Sequence, residues 1–349
     1  MKTQRNEFLD ILFNRAQVDK DILLITVDMG AESLDQWRKN LPDQFISAGI
    51  SEQNAINIAA GLSHSGKKVY VYFMGIWASR CFEQIRYSCA IANYPITILA
   101  NGVGLAYAPA GPAHEPTEDI TYMRSINGIE IYNFSNLYQI EQIVDLTLSN
   151  PKLRYIRLER SLDTIIEKEK QLSVSVETGI KCIRPGLHPS ANLQVFEYAL
   201  LNQPPTKSVN KICFISTGFM IGRALQVWQI LIEKGIQISL FDVWKLKPIN
   251  KEILALIFPN YDYVVTLEEH IADGGFGSII CEAVSDLRLC KKILRITLPE
   301  KYIFENGNRN QLLDANGLSV ENIVKKIEEF LVLPDPKNVI QERFDEEND

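Results

Sequence analysis

Short apolar runs alternate with helix-periodic stretches along the first half of the chain. Ile22–Val27, Val69–Phe73, Ile96–Leu99, Ile129–Tyr132 and Tyr155–Leu158 are too short for helices and rich in Ile, Leu, Val and Tyr, so they are predicted strands. Residues 52–64, 78–93, 117–126 and 137–148 are predicted helices between them. An amphipathic helix opens the chain, with Phe8, Leu9, Ile11, Leu12 and Ala16 at roughly helical spacing. Apolar strands separated by helices imply a parallel sheet covered on both faces. The second half repeats this logic. Lys211–Ser216, Gln237–Phe241, Tyr263–Leu267 and Ile293–Ile296 are predicted strands, and 221–234, 278–287 and 320–332 predicted helices. The charged stretch Glu167–Gln171 marks a domain edge. Residues 187–210, with Pro189, Pro204 and Pro205, fit neither sheet and suggest an insertion or linker. The predicted fold class is α/β with two domains, each a mostly parallel sheet flanked by helices. Residues 1–170 form the first domain, 171–210 a linker or insertion, 211–335 the second domain and 336–349 an acidic tail.

A length of 349 residues suits two domains. Hydrophobic residues at 46% and charged ones at 23% allow a sizeable core. The net charge of −7 argues against nucleic-acid binding, which needs a concentrated basic surface. No apolar run is long enough to span a membrane. The N-terminus lacks the charged-then-apolar pattern of a secretory signal, and the expected location is cytoplasmic. Six cysteines occur with no CxxC pair and no histidine at metal-ligand spacing. Several of them sit in apolar stretches, which favours buried free thiols in a reducing compartment.

The most informative chemistry lies in Gly49-Ile50-Ser51-Glu52-Gln53-Asn54. Ser51 is positioned to cap the helix that follows, which puts Glu52 in its first turn at the end of a sheet. Taken alone, that residue reads first as an ordinary first-turn glutamate stabilised by the helix dipole.

GISEQNAINIAAGLSHSG resembles the segment of the transketolase family, and of deoxyxylulose-phosphate synthase, that holds the cofactor-activating glutamate. FMGIWASRCFEQIR resembles the family's aromatic stretch, AGPAHEPTEDITYMRSI its GP-T-H loop, and VTLEEHIADGGFGS the marker of its C-terminal domain. Four motifs in the right order cover nearly the whole chain. The resemblance implies a thiamine-diphosphate pyrimidine-binding domain followed by a transketolase C-terminal domain. It makes Glu52 the carboxylate at N1′ of the aminopyrimidine, where it favours the imino tautomer that acts as the base. Trp77, with Phe73 alongside, would supply the aromatic face for the pyrimidine. Asp28 matches an acidic position near the cofactor at the subunit interface. His114 matches the histidine that contacts a substrate oxygen and helps proton transfer. Arg160 and Arg5 match sugar-phosphate positions, where a guanidinium is suited to bind. Arg80 falls where the synthase branch has a substrate-facing arginine. His270 matches a position linked to domain packing.

Two departures from the family concern the substrate. Ala110 stands where transketolases keep an aspartate that reads hydroxyl stereochemistry, and Gly102 where many keep a phosphate-binding histidine. These imply a specialised sugar or a simple 2-oxo acid in place of the usual pentose phosphates. A third departure concerns the cofactor. The GDG…N motif that holds Mg²⁺ and the diphosphate is absent from the sequence. The expected partner is therefore an N-terminal transketolase-like subunit carrying that motif. The expected assembly holds two of each chain around a dimer of this one. Alternatives are the beta subunit of a 2-oxo acid dehydrogenase, a non-catalytic scaffold subunit and a flavodoxin-like nucleotide-binding protein.

Overall fold

The computed structural model describes residues 3–160, 175–184 and 211–332. The first part runs α1 (Gln4–Ala16), β1 (Ile22–Thr26), α2 (Glu32–Asn40), β2 (Phe45–Ser47), α3 (Glu52–His64), β3 (Lys68–Met74) and α4 (Phe82–Gln84), which passes into a π-helical turn at Ile85–Ile91. It continues through β4 (Ile96–Asn101), α5 (Asp119–Arg124), β5 (Glu130–Asn133), α6 (Tyr138–Ser149) and β6 (Arg154–Leu158). The second part supplies β7 (Ile180–Arg184), β8 (Ile212–Ser216), α7 (Ile221–Glu233), β9 (Ile238–Val243), β10 (Lys245–Lys247) and α8 (Lys251–Ile257). It ends with β11 (Tyr263–Ile271), α9 (Phe276–Asp286), β12 (Lys292–Leu298), α10 (Arg309–Leu313) and α11 (Val320–Val332).

The first sheet has seven strands in the order β10-β5-β6-β4-β3-β1-β2, and the second has five, β12-β11-β8-β9-β7. Each is parallel apart from one edge strand, β10 on β5 and β7 on β9. The predicted α/β class is what the structure shows. Two boundaries need correction. Residues 180–184 lie inside the expected linker, yet they hydrogen-bond to β9 as the edge of the second sheet. Residues 245–247 lie inside the second domain, yet they close the edge of the first sheet. Both are short antiparallel edge segments without the long apolar runs that mark central strands. Residues 167–171, 187–210 and 336–349, expected as a domain edge, an insertion and an acidic tail, fall outside the described residues.

The central strands β1 and β4 are buried along their whole length, as strands covered on both faces must be. Side chains alternate across β3: Val71 and Phe73 pack on one face, Tyr70 and Tyr72 on the other. The first of these clusters continues through Met123 and Ile126 into Cys213, Phe241 and Val264 of the second sheet, so the two domains share one apolar core. The far face of the second sheet packs against α7 and α11.

The predicted helix at 117–126 is trimmed to α5. Ile271 of β11 donates its N–H to the Thr117 carbonyl (3.0 Å), which ties that residue to the second domain instead of a helical turn. All six cysteines are free. Cys81, Cys89 and Cys213 are buried as expected, Cys182 and Cys281 half-buried, and Cys290 is exposed. Burial pushes the Cys81 and Cys89 thiols up to about 12, so both stay protonated and unreactive near neutral pH. No described helix is long and apolar enough to cross a membrane.

Candidate active site

The segments that follow β1, β2, β3, β4 and β6 all leave the same carboxyl edge of the first sheet. Ligands of open parallel sheets bind at that edge. Asp28 follows β1 and is exposed. Glu52 follows β2 through a turn at Gly49, whose φ of 70° is open to glycine at little cost.

Helix α3 buries Glu52, Ala55, Ile56, Ala59, Ala60 and Ser63, a single stripe at helical spacing. Glu52 lies on that stripe and is only 3% exposed. A buried carboxylate needs a partner to offset its lost hydration. Arg80 provides one, donating from Nη1 to Glu52 Oε2 at 2.9 Å. The open N–H groups of the first helical turn add favourable potential. Among the described residues no hydrogen bond reaches Oε1, which leaves that oxygen available to a ligand. The expected serine cap does not form. Ser51 Oγ instead donates backwards to the Ala48 carbonyl (2.6 Å) and makes no bond to the helix. That bond tightens the turn and leaves the helix N-terminus open.

After β3, a 3₁₀ turn (Gly75–Ala78) carries Trp77, which is half-buried against the core. Phe73 is fully buried within that core, so both faces of its ring are taken by protein. This corrects its expected place beside the pyrimidine: the β-strand alternation sends it inward. A Cβ on Gly75 would meet Pro116 at 3.1 Å, so this turn and the loop after β4 are in close approach. That loop carries His114, held in a short turn (Pro112–His114) entered at Gly111 with φ 74°. His114 Nδ1 is buried with no hydrogen-bond partner. Ala110 is exposed beside it.

Arg5 and Arg160 converge from opposite ends of the first domain. The Arg5 N–H donates to the Glu159 carbonyl at 3.2 Å, which sets α1 beside the end of β6. The Arg160 guanidinium carbon lies 4.1 Å from the centroid of the Tyr107 ring. Both charges act on the buried Tyr72 hydroxyl, and the Arg5 side chain lies within hydrogen-bonding reach of it. Among the described residues neither arginine forms an ion pair; Arg5 Nε donates to Asn6 Oδ1 at 2.9 Å, and Arg160 rests on the Tyr107 ring. Two such guanidinium groups suit a phosphate. Asn101 Nδ2 donates to the Tyr107 hydroxyl at 2.7 Å and completes the wall. Tyr72, Asn101 and Tyr107 were not anticipated from sequence. Asn101 and Tyr107 flank Gly102 just past a strand end, and that placement was the available signal.

A second group clamps the domains together. Arg309 is buried between Glu159 at the end of β6 (2.6 and 3.0 Å) and Glu269 of β11 (2.8 Å from Nε), with its guanidinium 3.6 Å from the Phe219 ring. Glu269 also accepts from the Leu105 N–H at 3.0 Å, which anchors the loop bearing Tyr107. His270 is buried beside this group, and burial pushes its imidazole down to about 4. It is therefore neutral near pH 7, in keeping with the expected packing role.

Residues 3–164 match the family of the transketolase pyrimidine-binding domain, and residues 205–323 that of the transketolase C-terminal domain. The chain belongs to the transketolase family. One subunit of the apulose-4-phosphate transketolase of Phocaeicola vulgatus is 29% identical over 330 residues, covering 94% of this chain and 97% of its own length. A putative transketolase C-terminal section from Methanocaldococcus jannaschii is 27% identical, covering 94% of this chain and 96% of its own length. The 1-deoxy-D-xylulose-5-phosphate synthase of Dictyoglomus thermophilum is 28% identical over 91% of this chain, which spans 47% of that enzyme. Among solved structures, a split-gene transketolase captured as an inactive beta4 tetramer superposes with a TM-score of 0.76 at 24% identity, covering 96% and 99% of the two chains. A Pichia stipitis transketolase mutant complexed with xylulose 5-phosphate gives a TM-score of 0.70 at 14% identity, with this chain covering 46% of it.

This chain pairs a pyrimidine-binding domain with a C-terminal domain. Among the described residues no group of three or more His, Cys, Asp or Glu side chains could hold a metal ion.

Proposed function

We propose that this transketolase-family chain is the C-terminal subunit of a two-chain, thiamine-diphosphate-dependent enzyme that moves a two-carbon ketol unit between phosphorylated sugars. The observation that carries this reading is Glu52, a buried carboxylate with one oxygen free, on an open helix N-terminus at the carboxyl edge of a parallel sheet. These residues fit the pyrimidine end of the cofactor. Glu52 would bond N1′ of the aminopyrimidine, and the half-buried Trp77 would cover its ring. Among the described residues no group of His, Cys, Asp and Glu side chains could hold the metal of the diphosphate end. The proposed partner, an N-terminal subunit with a GDG…N motif, would hold that end through Mg²⁺. Asp28, exposed at the same edge, belongs to the proposed contact with that subunit.

When bound, the cofactor supplies a nucleophilic carbon. The residues of this chain do the rest. Glu52 keeps a proton positioned at the pyrimidine nitrogen. His114, with Nδ1 unsatisfied by protein, gives or takes a proton at a substrate oxygen. Arg5 and Arg160 hold the substrate phosphate. Arg80 fixes the Glu52 carboxylate, and its half-exposed side chain would face the substrate.

The test is reconstitution with an N-terminal subunit bearing the GDG…N motif, followed by ketol transfer assayed on phosphorylated ketoses and aldoses. Glu52→Gln is expected to lower the rate by about 10²–10⁴-fold, with little change in melting temperature. Full activity in that variant would refute the assignment. The proposed assembly of two of each chain is checked by the mass of the same complex. Ala110 and Gly102, where transketolases keep polar side chains, favour a second reading, in which the donor is a 2-oxo acid. Release of carbon dioxide during turnover would select it.

A further inference from the structure

Gly102 has no side chain, and Tyr107 has taken the space where one would stand. A Cβ built on Gly102 would lie 2.0 Å from Tyr107 Cε2 and 2.5 Å from Cδ2. The backbone of Gly102 has a φ of 70° and donates to the Leu158 carbonyl at 3.0 Å, so it cannot move aside. The Tyr107 ring is fixed from three sides. Asn101 donates to its hydroxyl at 2.7 Å, the Arg160 guanidinium carbon sits 4.1 Å from its centroid, and the His114 ring lies 6.3 Å away. Two of these distances share one centroid, so Arg160 and the His114 ring are at most 10.4 Å apart. Two buried polar atoms around this wall lack a protein partner, Asn101 Oδ1 and His114 Nδ1, and the buried Tyr72 hydroxyl lies beside the Arg5 side chain.

We propose that Tyr107 is the specificity-determining residue of the site, an aromatic wall that shortens the space between His114 and the Arg5–Arg160 corner and so selects compact phosphorylated substrates of three or four carbons. The inference rests on the reading of that corner as the phosphate end of a sugar-phosphate site. The unpartnered polar atoms meet the hydroxyls and the carbonyl of a short chain. A five-carbon chain anchored at the same arginines must displace the ring. A close-packed wall of this kind discriminates by sterics, and the unpaired donors and acceptors penalise a ligand that cannot reach them.

The test is binding, measured by calorimetry on the chain itself with glycerol 3-phosphate and ribitol 5-phosphate as probes. Wild type is expected to favour the three-carbon probe by about ten-fold or more. Tyr107→Ala is expected to reduce that preference to about three-fold or less by opening the wall. Tyr107→Phe, which keeps the ring, should preserve it. An equal preference in wild type and Tyr107→Ala overturns the proposal, as does a wild-type preference for the five-carbon probe. Arg160→Ala separates the two readings. If it leaves both affinities unchanged, the phosphate corner itself is wrong. If it weakens both probes while Tyr107→Ala changes nothing, only the role of Tyr107 fails. None of these measurements needs cofactor or turnover, so they stand apart from the Glu52 experiment.

Discussion

Replacing Arg309 with methionine keeps most of the side-chain volume and removes its charge. In the native chain that guanidinium is 9% exposed and is shared by Glu159 and Glu269, which are themselves buried. The variant leaves two carboxylates near each other without their cation, in a place water scarcely reaches. Breaking a buried pair from one side costs about 3–5 kcal/mol, most of it the penalty on the charges left behind. Loss of the Phe219 ring contact adds a fraction of a kcal/mol. At about 2 °C per kcal/mol for a chain of this size, the melting temperature should fall by roughly 6–10 °C. Urea titration followed by tryptophan fluorescence, alongside calorimetry, measures the loss. It also shows whether the two domains still unfold together, since Glu159 belongs to the first and Glu269 to the second. If the cost is uncompensated charge, adding Glu159→Gln and Glu269→Gln to Arg309→Met should recover more than half of it. A single variant less than about 1 kcal/mol weaker than wild type, or a triple variant no better than the single one, would show that the clamp does not hold the domains by charge.

Glu115 offers a pH test. It is buried next to His114 with Oε1 unpartnered, and burial, then the nearby Glu269 and Glu305, push its carboxyl up to about 7. Its folded-state value lies above the ordinary 4.5, so the folded chain holds the proton more tightly. Its stabilising contribution is complete below about 4.5 and is lost as pH rises to about 7, by at most about 3 kcal/mol. Glu115→Gln should therefore flatten the melting profile between pH 4.5 and 7, and matching wild-type and variant profiles would rule this out. Gly102→Ala should destabilise by about 1–3 kcal/mol, because the new methyl meets both a left-handed backbone and the Tyr107 ring. Denaturant midpoints decide it: no loss would mean that the ring swings away freely.

How far the sequence alone reaches depends on how local each cause is. The central strands were legible because burial on both faces demands unbroken apolar runs, as in Ile22–Thr26 and Ile96–Asn101. The place of Glu52 in the first turn of α3 was legible from the helical stretch that follows it, whereas its burial on the α3 stripe came only with the structure. The edge strands β7 and β10 were missed because an edge needs only a few ladder bonds and little apolar surface. The Ser51 cap failed because serine had a competing acceptor three residues back, a choice that propensity does not rank. Arg309 was missed because its carboxylates lie 150 and 40 positions away and meet it only when the two sheets dock. The Tyr107 wall shows an intermediate case. Gly102 stands out in the sequence as a missing side chain, but what fills the vacated space depends on how residues 102–107 turn back after β4, and Arg160 must arrive from β6 to hold it. The candidate carboxylate, Glu52, is thus placed by one helix. The groups that would choose the substrate arise from several strand ends meeting, and it is there that members of one fold can diverge while keeping the same chemistry.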